Sequence, residues 1–164
     1  MTTTLSLRDA LLEGTKEVFE TMVFMDLHEV EQELPSSSEV TLLGQITFTG
    51  SVEGCLCICC GLTCAQTIAA NMLCMDSPDE LNDEDIVDAI GEIANMVMGS
   101  VKTRIQDQVK NISISIPSVV RGRELCKHLS DGAVRVAVNE VLGDQHQATF
   151  SLVYRDGSIS ESAG

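Results

Sequence analysis

DEDIVDAIGEIANMVMGSVKTRIQDQ, residues 83–108, places Ile86, Ile90, Ile93, Val97, Val101 and Ile105 at steps of four, three, four, four and four. This is the 3.6-residue period of a helix with one buried face, and Val87, Ala94 and Met98 widen the apolar stripe. The opposite row reads Asp85, Asp88, Glu92, Asn95, Gly99, Lys102 and Gln106, at alternating steps of three and four. Those residues line one strip of solvent-facing surface. A helix from Asp83 to Gln106 would run roughly 36 Å at about 1.5 Å per residue and form the spine of the domain.

On the polar strip, Glu92 and Asn95 stand one turn apart. Side chains at i and i+3 lie about 5–6 Å from each other at Cβ, so a carboxylate and an amide can reach the same small target. Every amphipathic helix needs a polar face and Glu is a good helix former, so spacing alone also fits a plain solvated surface. Two residues argue for more. Asn competes for backbone hydrogen bonds and is a poor choice in mid-helix. Gly99 costs about 1 kcal/mol relative to Ala in a helix interior. A glycine one turn beyond Asn95 leaves the strip bare, so that another backbone can approach, while Gly91, beside Glu92, eases packing against a neighbouring element.

Outward from this helix, Leu5 to about Met25 reads as a first helix, with Leu7, Leu11, Val18 and Met22 buried and Glu13, Lys16 and Glu20 outside. Pro35 followed by Ser36, Ser37 and Ser38 marks a loop. Val40 to Phe48 and Val52 to Cys60 are rich in strand formers and flank Thr49-Gly50-Ser51, a hairpin signal. Thr63 can cap a short helix from Cys64 to Met75, and Ser77-Pro78 breaks the chain before the long helix. Strands return over Ile112 to Ile116, a stretch including Val119 and Val120, Ala133 to Val141, and Ala148 to Tyr154. The spacing predicts one domain over residues 1–154 and a tail over 155–164. The order helix, strands, helix, then helix, strands suggests two related halves, and only the second carries a Glu three residues before an Asn.

With 164 residues, 44% of them hydrophobic, the chain can bury a sizeable core; aromatics are only 3%, so that core is built from aliphatic side chains, Met and Cys. A net charge of -15 excludes a phosphate backbone as partner, since binding one requires clustered Lys and Arg. No run approaches the roughly 18 apolar residues of a membrane span, and Met1 to Leu12 lacks the apolar core of a secretory signal. The expectation is a soluble cytoplasmic protein whose seven cysteines are reduced thiols. Cys55, Cys57 and Cys59 alternate along one expected strand, with Cys60 on its other face and Cys64 and Cys74 on the helix that follows. Cys57-x-x-Cys60 matches a metal or redox spacing, but residues three apart on a strand point to opposite faces. No metal site is therefore expected, and the cysteines read as small buried hydrophobes.

Asp88-x-x-x-Glu92-x-x-Asn95 continues as Met96-x-x-Gly99 and is followed, 22 positions after Asn95, by Pro117 in Ile116-Pro117-Ser118-Val119-Val120-x-Gly122-x-x-Leu125. This pattern, sharpest over Ala89 to Met96, resembles the CheC/CheX/FliY chemotaxis phosphatases, and CheX most closely among them. The order of elements extends the resemblance from about Leu5 to Tyr154. It implies an α+β fold in which long helices pack on an antiparallel sheet. It further implies a phosphatase acting on the aspartyl-phosphate of a CheY-type response regulator, with one active site per chain, and a homodimer. No cofactor of its own is implied; the divalent cation, Mg, belongs to the partner regulator, as does an active-site Lys.

An acyl phosphate is already reactive, and what remains is to place a water in line with it. Asn95 suits this task because its amide can accept a hydrogen bond from water and donate one to phosphate. Glu92 would reach the regulator's Lys, since a carboxylate pointed at a phosphoryl group repels it; a general-base role is the alternative. Asp88, Gly99 and Lys102 would line the docking surface and Pro117 would shape the loop or strand edge beside the helix. The rival from another class is a non-catalytic module, a flagellar-switch or scaffold domain that holds a regulator without hydrolysing anything; it has no need of the Asn95 amide.

Overall fold

The computed structural model describes residues 7–31, 39–122, 133–143 and 146–156. In chain order the elements are α1 (Leu7–Val18), β1 (Leu27–Val30), β2 (Thr41–Thr49), β3 (Val52–Gly61), α2 (Leu62–Met72), α3 (Asp83–Ile105), β4 (Ser113–Ile114), β5 (Ser118–Gly122), β6 (Val134–Leu142) and β7 (His146–Asp156). The expected loop over Pro35 to Ser38 and the Leu125 position of the family pattern lie outside the described residues.

The long helix forms as the periodicity predicts. Asn82 caps α3: its side chain accepts from the Asp85 N–H at 2.8 Å, and the Asp85 carboxylate accepts from the Asn82 N–H at 3.2 Å. Asp83, Glu84 and Asp85 in the first turn, with Lys102 and Arg104 in the last, complement the helix dipole. Ile86, Ile90, Ile93, Val97, Val101 and Ile105 are all buried. At 23 residues α3 is about 35 Å long, and it packs on α1, α2 and the sheet.

The sheet is antiparallel and seven-stranded, in the order β1-β6-β7-β3-β2, with β4 and β5 both pairing with the far side of β2. A Cβ on Gly44 would lie 2.8 Å from the Ile90 Cγ2, so this glycine sets how closely β2 and α3 approach. Pairing then carries the helix-facing side from Gly44 to Ile58 and Phe150. Phe150 meets Phe19 edge-on, with ring centroids 5.6 Å apart, just after α1. All three helices thus cover one face of the sheet, and the core lies between. The α+β architecture expected from the sequence is the one found. No helix among the described residues is long and apolar enough to cross a membrane.

Several local expectations are corrected. The first helix is regular only through Val18; Phe19–Val23 is a π-helical turn closed by Phe24 in the left-handed region, at φ 60°. The wider turn rotates the stripe, so Phe19 and Val23 are buried while Met22, expected inside, is 45% exposed. Thr63 does not cap α2, which starts at Leu62 after Gly61. Instead the Thr63 N–H donates to the Glu39 carboxylate at 2.6 Å, and the Thr63 hydroxyl donates to it as well. The helix stops at Met72, leaving Cys74 beyond it, exposed and left-handed at φ 55°. β1, Leu-His-Glu-Val, is too short and polar to stand out as an alternating pattern; it exists because β6 pairs with it. β7 runs on to Asp156, past the expected end at Tyr154.

Candidate active site

Glu92 and Asn95 are both exposed on the middle turns of α3, with Asp88 exposed one turn before and Gly99 and Lys102 half-exposed beyond. The structure therefore sets all five on one regular helical strip. On one flank lies α1, where Gly14 packs against Ser100 and Val101. Here the Glu17 Oε1 accepts from the Ser100 hydroxyl at 2.5 Å and from Arg104 at 3.2 Å. These partners, Ser100 first, hold the Glu17 carboxyl below its ordinary range. Arg104 is thereby drawn toward α1, leaving the opposite side of the strip to Lys102.

The other flank is the edge of the sheet, and its register contains one extra residue. Phe48 pairs with Ile114 and Gln45 pairs with Ser118. Between those pairs Ile46 and Thr47 oppose Ser115, Ile116 and Pro117, which is a β-bulge at the edge. A bulge on an edge strand is where a proline fits, because no ladder bond is asked of its missing N–H. The bulge is tied down: the Ser115 N–H donates to the Thr47 carbonyl at 2.9 Å, and the Thr47 N–H donates to the Ser115 hydroxyl at 3.0 Å.

Pro117 reaches the helix at Gly91. A Cβ there would lie 3.7 Å from the Val119 Cγ2 and 3.8 Å from the Pro117 Cγ. Gly91 is buried under this edge, so it does ease packing against a neighbouring element. Asp88, Gly91 and Asn95 follow one another at steps of three and four, so Pro117 covers the gap between Asp88 and Asn95 in a single row of the helix. Sequence spacing suggested Pro117 as a strand-edge residue but held no signal for the bulge, which depends on how β2 pairs.

Gly99 differs from Gly91, for a Cβ there would meet nothing within 4 Å. Gly99→Leu is therefore expected to hold or raise the melting temperature, by improved helix propensity, while weakening partner binding about tenfold or more by filling open space on the strip. Thermal melts and a binding titration on the same variant check both halves; unchanged binding would move the docking surface away from this turn.

A cavity of about 340 Å³ lies elsewhere, against the β2–β3 hairpin, lined among others by Thr47, Glu53, Cys55 and Arg155. None of the strip residues borders it, so the site is an open helix face suited to a macromolecular surface. Cys55, Cys57 and Cys59 face away from the helices, and the Cys55 and Cys57 sulfurs are 3.5 Å apart. Cys60 faces inward, where a hydrogen bond with Cys64, then burial, pushes its thiol well up. Among the described residues no group of three His, Cys, Asp or Glu side chains is placed to hold a metal ion. Metal analysis of native protein is expected to find less than about one zinc per several chains. Stoichiometric zinc lost on Cys57 or Cys60 substitution would reverse that reading.

A protein-family model described as "Chemotaxis phosphatase CheX" matches residues 42–139, more than half of the chain. The protein named CheY-P phosphatase CheX from Thermotoga maritima is 33% identical over 93 residues; the match covers 57% of this chain and 57% of that protein's length. Among solved structures, chemotaxis protein CheX from Vibrio vulnificus superposes with a TM-score of 0.76 at 24% identity, over 94% of this chain and all of that one. A chain of the CheX-CheY-BeF3-Mg complex from Borrelia burgdorferi superposes with a TM-score of 0.73 at 19% identity, over 92% of this chain and 99% of that one. These structural likenesses establish the fold.

Proposed function

The chain belongs to the CheX family of chemotaxis phosphatases, and we propose that it hydrolyses the aspartyl-phosphate of a CheY-type response regulator. The observation that carries the reading is the exposed Glu92 and Asn95 pair on a rigid helix strip, flanked by the tethered bulge at Pro117. Support comes from the relative named a CheY-P phosphatase and from the solved complex of a CheX with CheY, beryllofluoride and magnesium. In this reading Asn95 inserts beside the phosphoryl group, accepting from the attacking water and donating to a phosphoryl oxygen. Magnesium is held by the regulator and neutralises the phosphoryl charge there. The protein acts in the cytoplasm as a homodimer, one site to each chain.

Glu92 anchors the regulator's active-site Lys rather than the phosphate, which a carboxylate would repel. Glu92→Gln is expected to weaken turnover on the phosphorylated regulator. Substituting the regulator's Lys should make the Glu92 change matter less, so a double-mutant cycle reads their coupling. Strictly additive effects would remove the direct pairing. Asp88, Gly99 and Lys102 line the surface along which the regulator docks, with Pro117 shaping its edge.

The direct test mixes the purified protein with candidate regulators phosphorylated by acetyl phosphate and follows phosphate release in a single turnover. Release faster than each regulator's own decay, for at least one of them, supports the phosphatase. Tight binding with no acceleration would favour a scaffold.

A further inference from the structure

Ile116 is the most exposed large apolar side chain among the described residues, at 89%. A lone exposed isoleucine is ordinary on a protein surface, but this one is held outward by three constraints. It stands within the one-residue bulge, a device that re-aims a side chain away from the ladder. Ser115 before it is bonded twice to Thr47, and Pro117 after it rests over Gly91 of α3. A residue preceding proline is itself confined to extended conformations. Little conformational entropy remains to be lost there on binding, as befits an anchor.

We infer that Ile116 is an apolar anchor for the response regulator, gripping the surface beside its phosphorylation site and setting affinity rather than chemistry. This inference rests on the phosphatase reading of Glu92 and Asn95. Its occupant follows from continuity: Pro117 packs over Gly91, in the helical row that leads to Asn95, and consecutive Cα atoms along the chain are only about 3.8 Å apart. A receiver domain that brings a phosphoryl group to Asn95 therefore lies over the edge from which Ile116 projects. The strip supplies carboxylates, an amide and a lysine, all strongly hydrated, and offers no large apolar group of its own. Ile116 adds a rigid hydrophobic contact that excludes water at the rim of that polar patch.

The test compares wild type, Ile116→Asp, Ile116→Leu and Asn95→Ala with one chemotaxis receiver domain. Turnover is measured on its phosphorylated form, and binding on the same domain loaded with beryllofluoride and magnesium. Ile116→Asp should raise both KM and Kd at least about tenfold, with kcat at saturation within about twofold of wild type. Ile116→Leu should retain affinity, and melting temperatures should not move because the side chain is exposed. A Kd for Ile116→Asp within about twofold of wild type, with turnover still lost in Asn95→Ala, would overturn the anchor and leave the phosphatase standing. A lowered kcat with unmoved KM, or a lowered melting temperature, would also overturn it. Weakened binding in Ile116→Asp without phosphate release by wild type would support the anchor and remove the phosphatase.

Discussion

Asn95→Ala is expected to slow single-turnover dephosphorylation by at least about tenfold, a loss of roughly 1.4 kcal/mol of transition-state stabilisation, while regulator affinity changes little. The reason lies in the amide itself. Placing water in line with a phosphoryl group needs an acceptor for the water and a donor for the oxygen on one rigid support. Asn95 is exposed on the middle of a capped helix whose opposite face buries Ile86, Ile90, Ile93 and Val97, so truncating it removes no core packing. Asn95→Asp keeps the size but lacks the donor and should also lose turnover. Full activity in the Ala variant would remove the proposed mechanism.

The second large effect concerns stability. Glu140 on β6 is only 1% exposed, and its Oε1 has no hydrogen-bond partner among the described residues. Burial pushes its carboxyl up from about 4.5 to about 7, against the opposing pull of Lys16 and Arg8 on α1. Arg8 is itself paired with Glu29, the residue opposite Glu140 on β1. Between those two pH values the native state keeps a proton that the unfolded chain has lost, so stability falls as pH rises through the window. The total is about 3 kcal/mol for a shift of this size. Glu140→Gln cannot ionise and should lose that slope, gaining on the wild type between pH 4.5 and pH 8. Urea unfolding across the range measures the difference; parallel curves for the two proteins would mean that Glu140 ionises in the fold as it does in water.

Zinc content, the Gly99 strip and the Glu92 pairing probe less of the molecule. The Gly99 and Glu92 tests share one premise, that the exposed face of α3 is chemistry and its buried face is structure.

That division was legible in the sequence because a helix repeats every 3.6 residues, and 23 residues give enough turns for the apolar and polar rows to separate. The same local periodicity exposed Glu92, Asn95 and Gly99 as neighbours, since i, i+3 and i+4 contacts need no tertiary information. The β2–β3 hairpin and the two faces of the cysteine strand were legible for the analogous reason, a period of two. Tertiary structure decided whatever depends on residues far apart in the chain. The edge bulge at Ser115 to Pro117 exists only as a count of residues against β2, and it is what turns Ile116 outward. Glu39 serves the first turn of α2 from 24 positions away, where the sequence pointed to Thr63. A π turn displaced Met22 because Phe19 and Val23 fill the core beside Phe150. Glu140 is an acid among strand residues until α1 covers it and removes its water. Local period determines which side chains share a face; only the packing of one face on another determines what each of them meets.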